Sequence, residues 1–151
     1  MSKGADRVTG GCQCGKVRYR VAAIGRSSVC HCRMCQRAFG AFYAPLAVAE
    51  GLEWTAEAPA YFQSSNVSKR GFCGACGTPL SLENLDGSLT EVSTGSLDDP
   101  SLAPPSLQIN HRYAWDFTDG IGQLPRPDDV TVADNDAWND DVVSYQSEIP
   151  K

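Results

Sequence analysis

Seven cysteines fall into three groups: C-x-C at Cys12 and Cys14, C-x-C-x-x-C at Cys30, Cys32 and Cys35, and C-x-x-C at Cys73 and Cys76. At such spacings one backbone turn can present two thiolate sulfurs to a single ion, ~2.3 Å from it. The two pairs supply four sulfurs, enough to close a tetrahedral zinc site. The trio supplies three and leaves a position for water or substrate, which is what separates a catalytic zinc from a structural one. The sequence therefore suggests two zincs with different tasks. Spacing leaves one alternative open: the trio can recruit a cysteine from either pair, leaving three sulfurs elsewhere. Seven is odd, so two closed four-thiolate sites would need His31, His111 or an outside ligand. His31 lies between two members of the trio, where its ring is expected to point away from an ion gripped by both neighbours. His111 reads as a surface or capping histidine, and neither is expected to be a ligand.

Disulfides and redox chemistry are the competing uses of cysteine. A thioredoxin-type C-x-x-C opens a helix within a βαβ pattern, and that pattern is missing. Unrelated buried thiols would not gather into three tight groups. Zinc is favoured over an iron–sulfur cluster because the donors separate into four and three. Joining Cys12 and Cys14 to Cys73 and Cys76 would staple the first hairpin to a turn far along the chain, a stabilising closure. Gly11 and Gly15 flank the first pair, and Gly71, Gly74 and Gly77 surround the second, as tight metal knuckles require.

These donors must be carried by short elements, because Gly and Pro punctuate the chain and helical periodicity is scarce. Lys16 to Val21 alternates polar and apolar residues as a half-buried strand does. It follows Gly15 directly, so the C-x-C pair is expected in a turn leading into a hairpin. Ala41 to Val48 reads as a strand, with Pro45 implying an edge or a bend. Further strands are expected at Leu52 to Trp54, Ala60 to Gln63, Ser68 to Phe72, Pro79 to Leu82, Ser88 to Thr94 and Ser106 to Ile109. His31 to Ala38 suits one helical turn or two. Asn84 to Gly87 suits a hairpin turn, and Gly95 to Pro105 a loop. Many short strands joined by turns predict an all-β sandwich or open barrel.

A chain of 151 residues with 42% hydrophobic content is expected to form one domain over residues 1–127, followed by an acidic tail or peripheral arm over 128–151. Trp138, Val142, Val143 and Tyr145 are scattered through that arm. No apolar run approaches the ~20 residues of a membrane span, and Met1 to Gly11 lacks the apolar core of a secretory signal. A cytoplasmic setting, where thiols stay reduced, is expected. Two zincs held by seven thiolates would carry the formal charge of −5 to about −8, which argues against nucleic acid as a partner. Residues 7 to 49 nevertheless carry Arg7, Lys16, Arg18, Arg20, Arg26, Arg33 and Arg37 without an acidic residue. They can offset thiolate charge and draw in a small anion, or simply decorate solvated strand edges. Phe39, Phe42 and Tyr43 either wall the trio or pack in the core.

Gly10 to Tyr19 (G-G-C-Q-C-G-K-V-R-Y), Cys30 to Arg37 (C-H-C-R-M-C-Q-R), Phe72 to Leu80 (F-C-G-A-C-G-T-P-L) and Gly95 to Pro100 (G-S-L-D-D-P) occur in that order. Together they resemble the family of the glutathione-dependent formaldehyde-activating enzyme and its CENP-V-type relatives, over roughly residues 9 to 125. The resemblance implies an all-β, zinc-stabilised β-tent fold. It implies that Cys12, Cys14, Cys73 and Cys76 hold a structural zinc and Cys30, Cys32 and Cys35 a catalytic one. It also implies a carbon–sulfur lyase activity with S-hydroxymethylglutathione as product. Gln108 stands where the family's usual motif has His, ahead of Ile109, Trp115, Leu124 and Pro125.

The residues support that chemistry independently. Three thiolates make zinc a weak Lewis acid, so activating water is less attractive than accepting a soft incoming thiol. The ionised thiol would add to an aldehyde such as formaldehyde, and the reverse reaction would cleave the carbon–sulfur bond. The expected partners are thus a small thiol such as glutathione and a small aldehyde, with Arg33 and Arg37 steering the thiol's carboxylates. Two other readings remain: a zinc-stabilised binding module without chemistry, and the same chemistry on another thiol.

Overall fold

The computed structural model describes residues 8–126 and 141–148. The described residues form ten strands: β1 (Val8–Gly11), β2 (Arg18–Val21), β3 (Ala23–Cys30), β4 (Ala44–Glu50), β5 (Glu53–Trp54), β6 (Ala60–Gln63), β7 (Ser68–Phe72), β8 (Pro79–Asn84), β9 (Thr90–Ser93) and β10 (Leu107–Ile109). One α-helix, α1 (Arg33–Phe39), joins β3 to β4, and short 3-10 turns fill the later loops. The all-β expectation holds. The strands make a small sheet, β1-β2-β5, and a larger one in the order β10-β3-β4-β9-β8-β7-β6. Among the described residues no helix is long and apolar enough to cross a membrane.

β2 shows why alternation was readable: Tyr19 and Val21 are buried while Arg18 and Arg20 are only partly so. Tyr19 and Val21 join Ala47, Ala49, Leu80 and Val92 in the main core, which also contains Cys12 and Cys73. A second, smaller core gathers Ala44 and Leu46 around Cys30 and Cys35. β4 serves both, since successive strand residues face opposite ways. The two groups of sulfurs therefore lie against opposite faces of the large sheet.

Pro45 does not mark an edge. β4 is an interior strand, paired with β3 and with β9. Pro45 is tolerated because the ladder to β9 begins one residue later, at Leu46 opposite Ser93. β3 had no readable pattern, because A-I-G-R-S-S-V-C lacks alternation; its pairing on both sides with β4 and β10 makes it a strand. β1 was likewise unforeseen, and pairs with β2 as the other arm of the first hairpin. The expected loop from Gly95 to Pro105 holds two 3-10 turns. β10 runs parallel to β3, with Ile109 opposite Cys30, so both strands deliver their next residues to the same end of the sheet.

Of the expected acidic arm, 128–140 and 149–151 lie outside the described residues, Trp138 among them. Within 141–148, the Ser147 amide donates to the Gln13 carbonyl at 2.7 Å. This part of the arm therefore rests on the C-x-C turn. Val143 and Tyr145 are exposed rather than docked.

Candidate metal centres

The first hairpin turn and the β7–β8 turn are matching knuckles. In one, the Gly15 amide donates to the Cys12 carbonyl at 3.0 Å; in the other, the Gly77 amide donates to the Cys73 carbonyl at 2.9 Å. Gly15 and Gly77 both adopt left-handed backbone, at φ 81° and 79°, which other residues resist. The knuckles are laced together by the Gln13 amide donating to Thr78 Oγ1 at 3.1 Å and Gln13 Nε2 donating to the Cys76 carbonyl at 3.3 Å.

This lacing gathers Cys12, Cys14, Cys73 and Cys76 with their sulfurs within 4.8 Å of one another. Four sulfurs at ~2.3 Å from one tetrahedral ion stand ~3.8 Å apart. The Cys12–Cys14 and Cys14–Cys73 sulfurs are 3.5 and 3.8 Å apart, close to that spacing, so the donor set suits zinc. The Val17 amide also donates to Cys12 Sγ at 3.3 Å. Burial pushes the Cys76 thiol up, but hydrogen bonds from Thr78 prevail and bring it down to about 6.

The trio is built where β3 meets α1. Cys30 ends the strand, Cys32 caps the helix, and Cys35 lies in its first turn. Their sulfurs again lie within 4.8 Å of one another, and among the described residues no fourth Cys, His, Asp or Glu joins them. Each sulfur accepts one N–H at 3.4 Å: Cys30 from Asn110 Nδ2, Cys32 from the Cys35 amide, and Cys35 from Arg70 Nη2. Such donors favour sulfur in its anionic, ligating form and fix its orientation. The hydrogen bond with Cys35 draws the Cys30 thiol down to about 5 against the effect of burial, with Asn110 adding to the shift. Cys35 is pushed up, chiefly by Cys30 and then by burial, with Arg70 opposing both. Three soft donors, with no fourth Cys, His, Asp or Glu beside them among the described residues, suit zinc in an open site.

His31 stands apart from the trio's sulfurs. It is fully buried, with Nε2 hydrogen-bonded to Gln108 Oε1 at 2.8 Å. Its ring meets those of Tyr43 and His111 edge-on, at centroid distances of 5.7 and 5.4 Å. Gln108 is thus the hydrogen-bond partner of His31.

Gln36 holds this end of the molecule together. Its Nε2 donates to the His31 carbonyl at 2.6 Å and to the Tyr113 carbonyl at 3.2 Å, while Oε1 accepts from Trp115 Nε1 at 3.0 Å. Oε1 also accepts from Arg33 Nη1 at 2.5 Å. Arg33 and Arg37 line an open groove of ≈ 580 Å³ walled by Phe42, Trp115 and Phe117. Phe42 is therefore a wall of the groove, whereas Phe39 packs beside Cys30 and Cys35. Three further arginines of the basic segment are engaged elsewhere: Arg18 pairs with Asp98, Arg20 with Glu53 and Arg26 with Glu91.

Sequence reasoning missed Gln36, Arg70 and Asn110. Arg70 had one usable signal: in β7 it must face opposite to Lys69, toward the interior. Asn110 had none, because its approach to Cys30 depends on the parallel register of β10.

Comparison with known proteins bears on family and fold. The sequence model of the glutathione-dependent formaldehyde-activating enzyme family matches residues 7–113. No curated protein matches the chain. Among solved structures, a crystal structure of a Rhodobacter sphaeroides protein is similar at a TM-score of 0.52 and 23% identity, covering 66% of this chain and 98% of that one. That likeness is one of fold.

Proposed function

The chain belongs to the glutathione-dependent formaldehyde-activating enzyme family, and on that premise we propose that it is a zinc-dependent carbon–sulfur lyase acting on the adduct of a small thiol and a small aldehyde, such as S-hydroxymethylglutathione. The observation that carries this reading is the trio: three gathered sulfurs, each with its own N–H donor, and no fourth protein ligand among the described residues. A purely structural site would close its coordination shell with protein.

Cys30, Cys32 and Cys35 would hold the catalytic zinc, which when bound supplies a soft Lewis acid that ionises a thiol at neutral pH. Cys12, Cys14, Cys73 and Cys76 would hold the structural one. Asn110 and Arg70 keep the trio's sulfurs oriented. Arg33 is fixed by Gln36 and stacks over Trp115, with its guanidinium carbon 5.7 Å from the ring centroid. With Arg37 it offers a cationic, aromatic-walled groove for the carboxylates of a glutathione-like thiol. All seven cysteines are free, which favours work in the reducing cytoplasm.

The test is metal content together with exchange between free thiol, aldehyde and adduct, followed by NMR. Two zincs per chain and enzyme-dependent exchange with glutathione and formaldehyde are expected. Cys35→Ser should fold, retain one zinc and lose the exchange activity. Two zincs with no effect on exchange for any thiol would instead make the protein a zinc-stabilised binding module.

A further inference from the structure

Arg70 carries a charge that no acidic side chain answers. It sits in β7 opposite Leu82, and Leu82 packs with Phe39, Ala44 and Leu46 around Cys30 and Cys35. Only 9% of the residue is exposed. Nη2 donates to Cys35 Sγ at 3.4 Å, while Nε and Nη1 are shut off from solvent without a hydrogen-bond partner. Among the described residues no carboxylate forms an ion pair with it. Because the unpaired nitrogens are sealed, no anion from outside reaches them. A guanidinium does not give up its proton, so a buried one is strongly destabilising unless an internal negative charge answers it. Cys35, the hydrogen-bond partner of its side chain, can carry that charge.

The four-cysteine group is built differently. Its sulfurs meet the Val17 amide and the Thr78 hydroxyl, and among the described residues no Lys or Arg donates to them. We propose that Arg70 is the counter-charge of the three-cysteine centre, a positioning residue that acts through Cys35 to let the open position accept an anionic sulfur ligand. This rests on the open zinc centre of the reading above. Three thiolates around a divalent ion leave one negative charge over, and that charge repels a second anion. Arg70 cancels it, so a thiol entering as thiolate meets a neutral centre. The apolar surroundings leave little solvent to screen either effect. The guanidinium is held in place before the guest arrives, so its help costs no reorganisation. Its sealed position separates this role from that of Arg33 and Arg37, which line the open groove.

Thiocyanate is a soft anion that needs no deprotonation, and imidazole is a neutral ligand for the same position. Each is titrated into the zinc-loaded full chain at about pH 8, above the ordinary imidazole pKa, and followed by NMR. Arg70→Gln keeps an N–H donor and removes the charge. It should weaken thiocyanate about tenfold or more and imidazole by less than about threefold. Arg70→Lys keeps the charge and should recover most of the thiocyanate binding. Glutathione, which loses a proton on binding, should need a higher pH in Arg70→Gln than in wild type. If Arg70→Gln does not fold, Arg70→Met takes its place. Equal weakening of both probes, thiocyanate binding unchanged in the uncharged variant, or Arg70→Lys no better than Arg70→Gln overturns the proposal. Selective loss of thiocyanate, with no exchange for any thiol and aldehyde, supports the counter-charge and overturns the lyase reading instead. Neither probe binding to wild type at two zincs per chain overturns both, because the fourth position would then be closed.

Discussion

Replacing both Cys73 and Cys76 with serine removes one whole knuckle, so that no ion can bridge the two turns. Cys14 and Cys73 are 59 residues apart. Releasing a closure of that length returns about 4 kcal/mol of conformational entropy to the unfolded chain on the loop-entropy relation. Domains of this kind are stable by roughly 5–15 kcal/mol, so the loss is a large share of the total. With a urea dependence of about 2 kcal/mol per molar, the unfolding midpoint should drop by about 2 M. Cys32→Ser with Cys35→Ser opens only a local loop between β3 and α1, for which the same relation gives about half that value. The assay is urea unfolding followed by circular dichroism, with and without a zinc chelator. The chelator should lower the wild-type midpoint toward that of the knuckle variant and change the knuckle variant little. Equal losses in the two double variants, or a wild type indifferent to chelation, would refute the division of labour between the centres.

Three other perturbations probe the frame around the sites. A β-carbon at Gly10 would meet the Tyr19 ring at 2.4 Å and the Ser96 carbonyl at 2.6 Å, so Gly10→Ala should cost about 1–3 kcal/mol, read from thermal melting. The hydrogen bond from Arg18 holds the Asp98 carboxyl below the usual carboxylate range, with Thr9 adding to the shift and burial opposing it. Because the folded value is the lower one, its stabilisation is complete above about pH 4, the ordinary carboxylate value. It is lost as pH falls through the folded value. Wild type and Asp98→Asn should therefore differ in melting temperature at pH 7 and converge in acid; a constant gap down to pH 2 would contradict this. Gln36→Leu deprives two carbonyls and the Trp115 indole of their partner, and should cost about 2–4 kcal/mol. A shift in Trp115 fluorescence, checked against variants lacking Trp54 or Trp138, would report the opened groove.

The sequence made visible whatever depends on neighbours along the chain. Cysteine spacing marked the donors, and alternation in K-V-R-Y-R-V marked β2 and the hairpin. Asp86-Gly87 marked the β8–β9 turn, where Gly87 has φ 76°. What depends on distant pairing stayed hidden. β3 has two serines, a glycine and an arginine where a central strand would be expected to alternate, and it is held by neighbours on both sides. The basic segment around the cysteines left open a field for anions or plain strand-edge decoration, and Arg18, Arg20 and Arg26 face carboxylates from residues 53 to 98. Arg70, within the expected strand Ser68 to Phe72, is buried against Cys35.

The parallel pairing of β10 with β3 also sets a chronology. Asn110, the donor to Cys30, lies 80 residues further along the chain, and non-local strand pairing of this kind forms slowly. During synthesis Cys30 emerges early and must wait for that strand to dock before it gains its donor. An ion captured in the interval would meet Cys30 without Asn110, so faithful maturation of the centre is tied to the later steps of folding rather than to the moment its ligands are made.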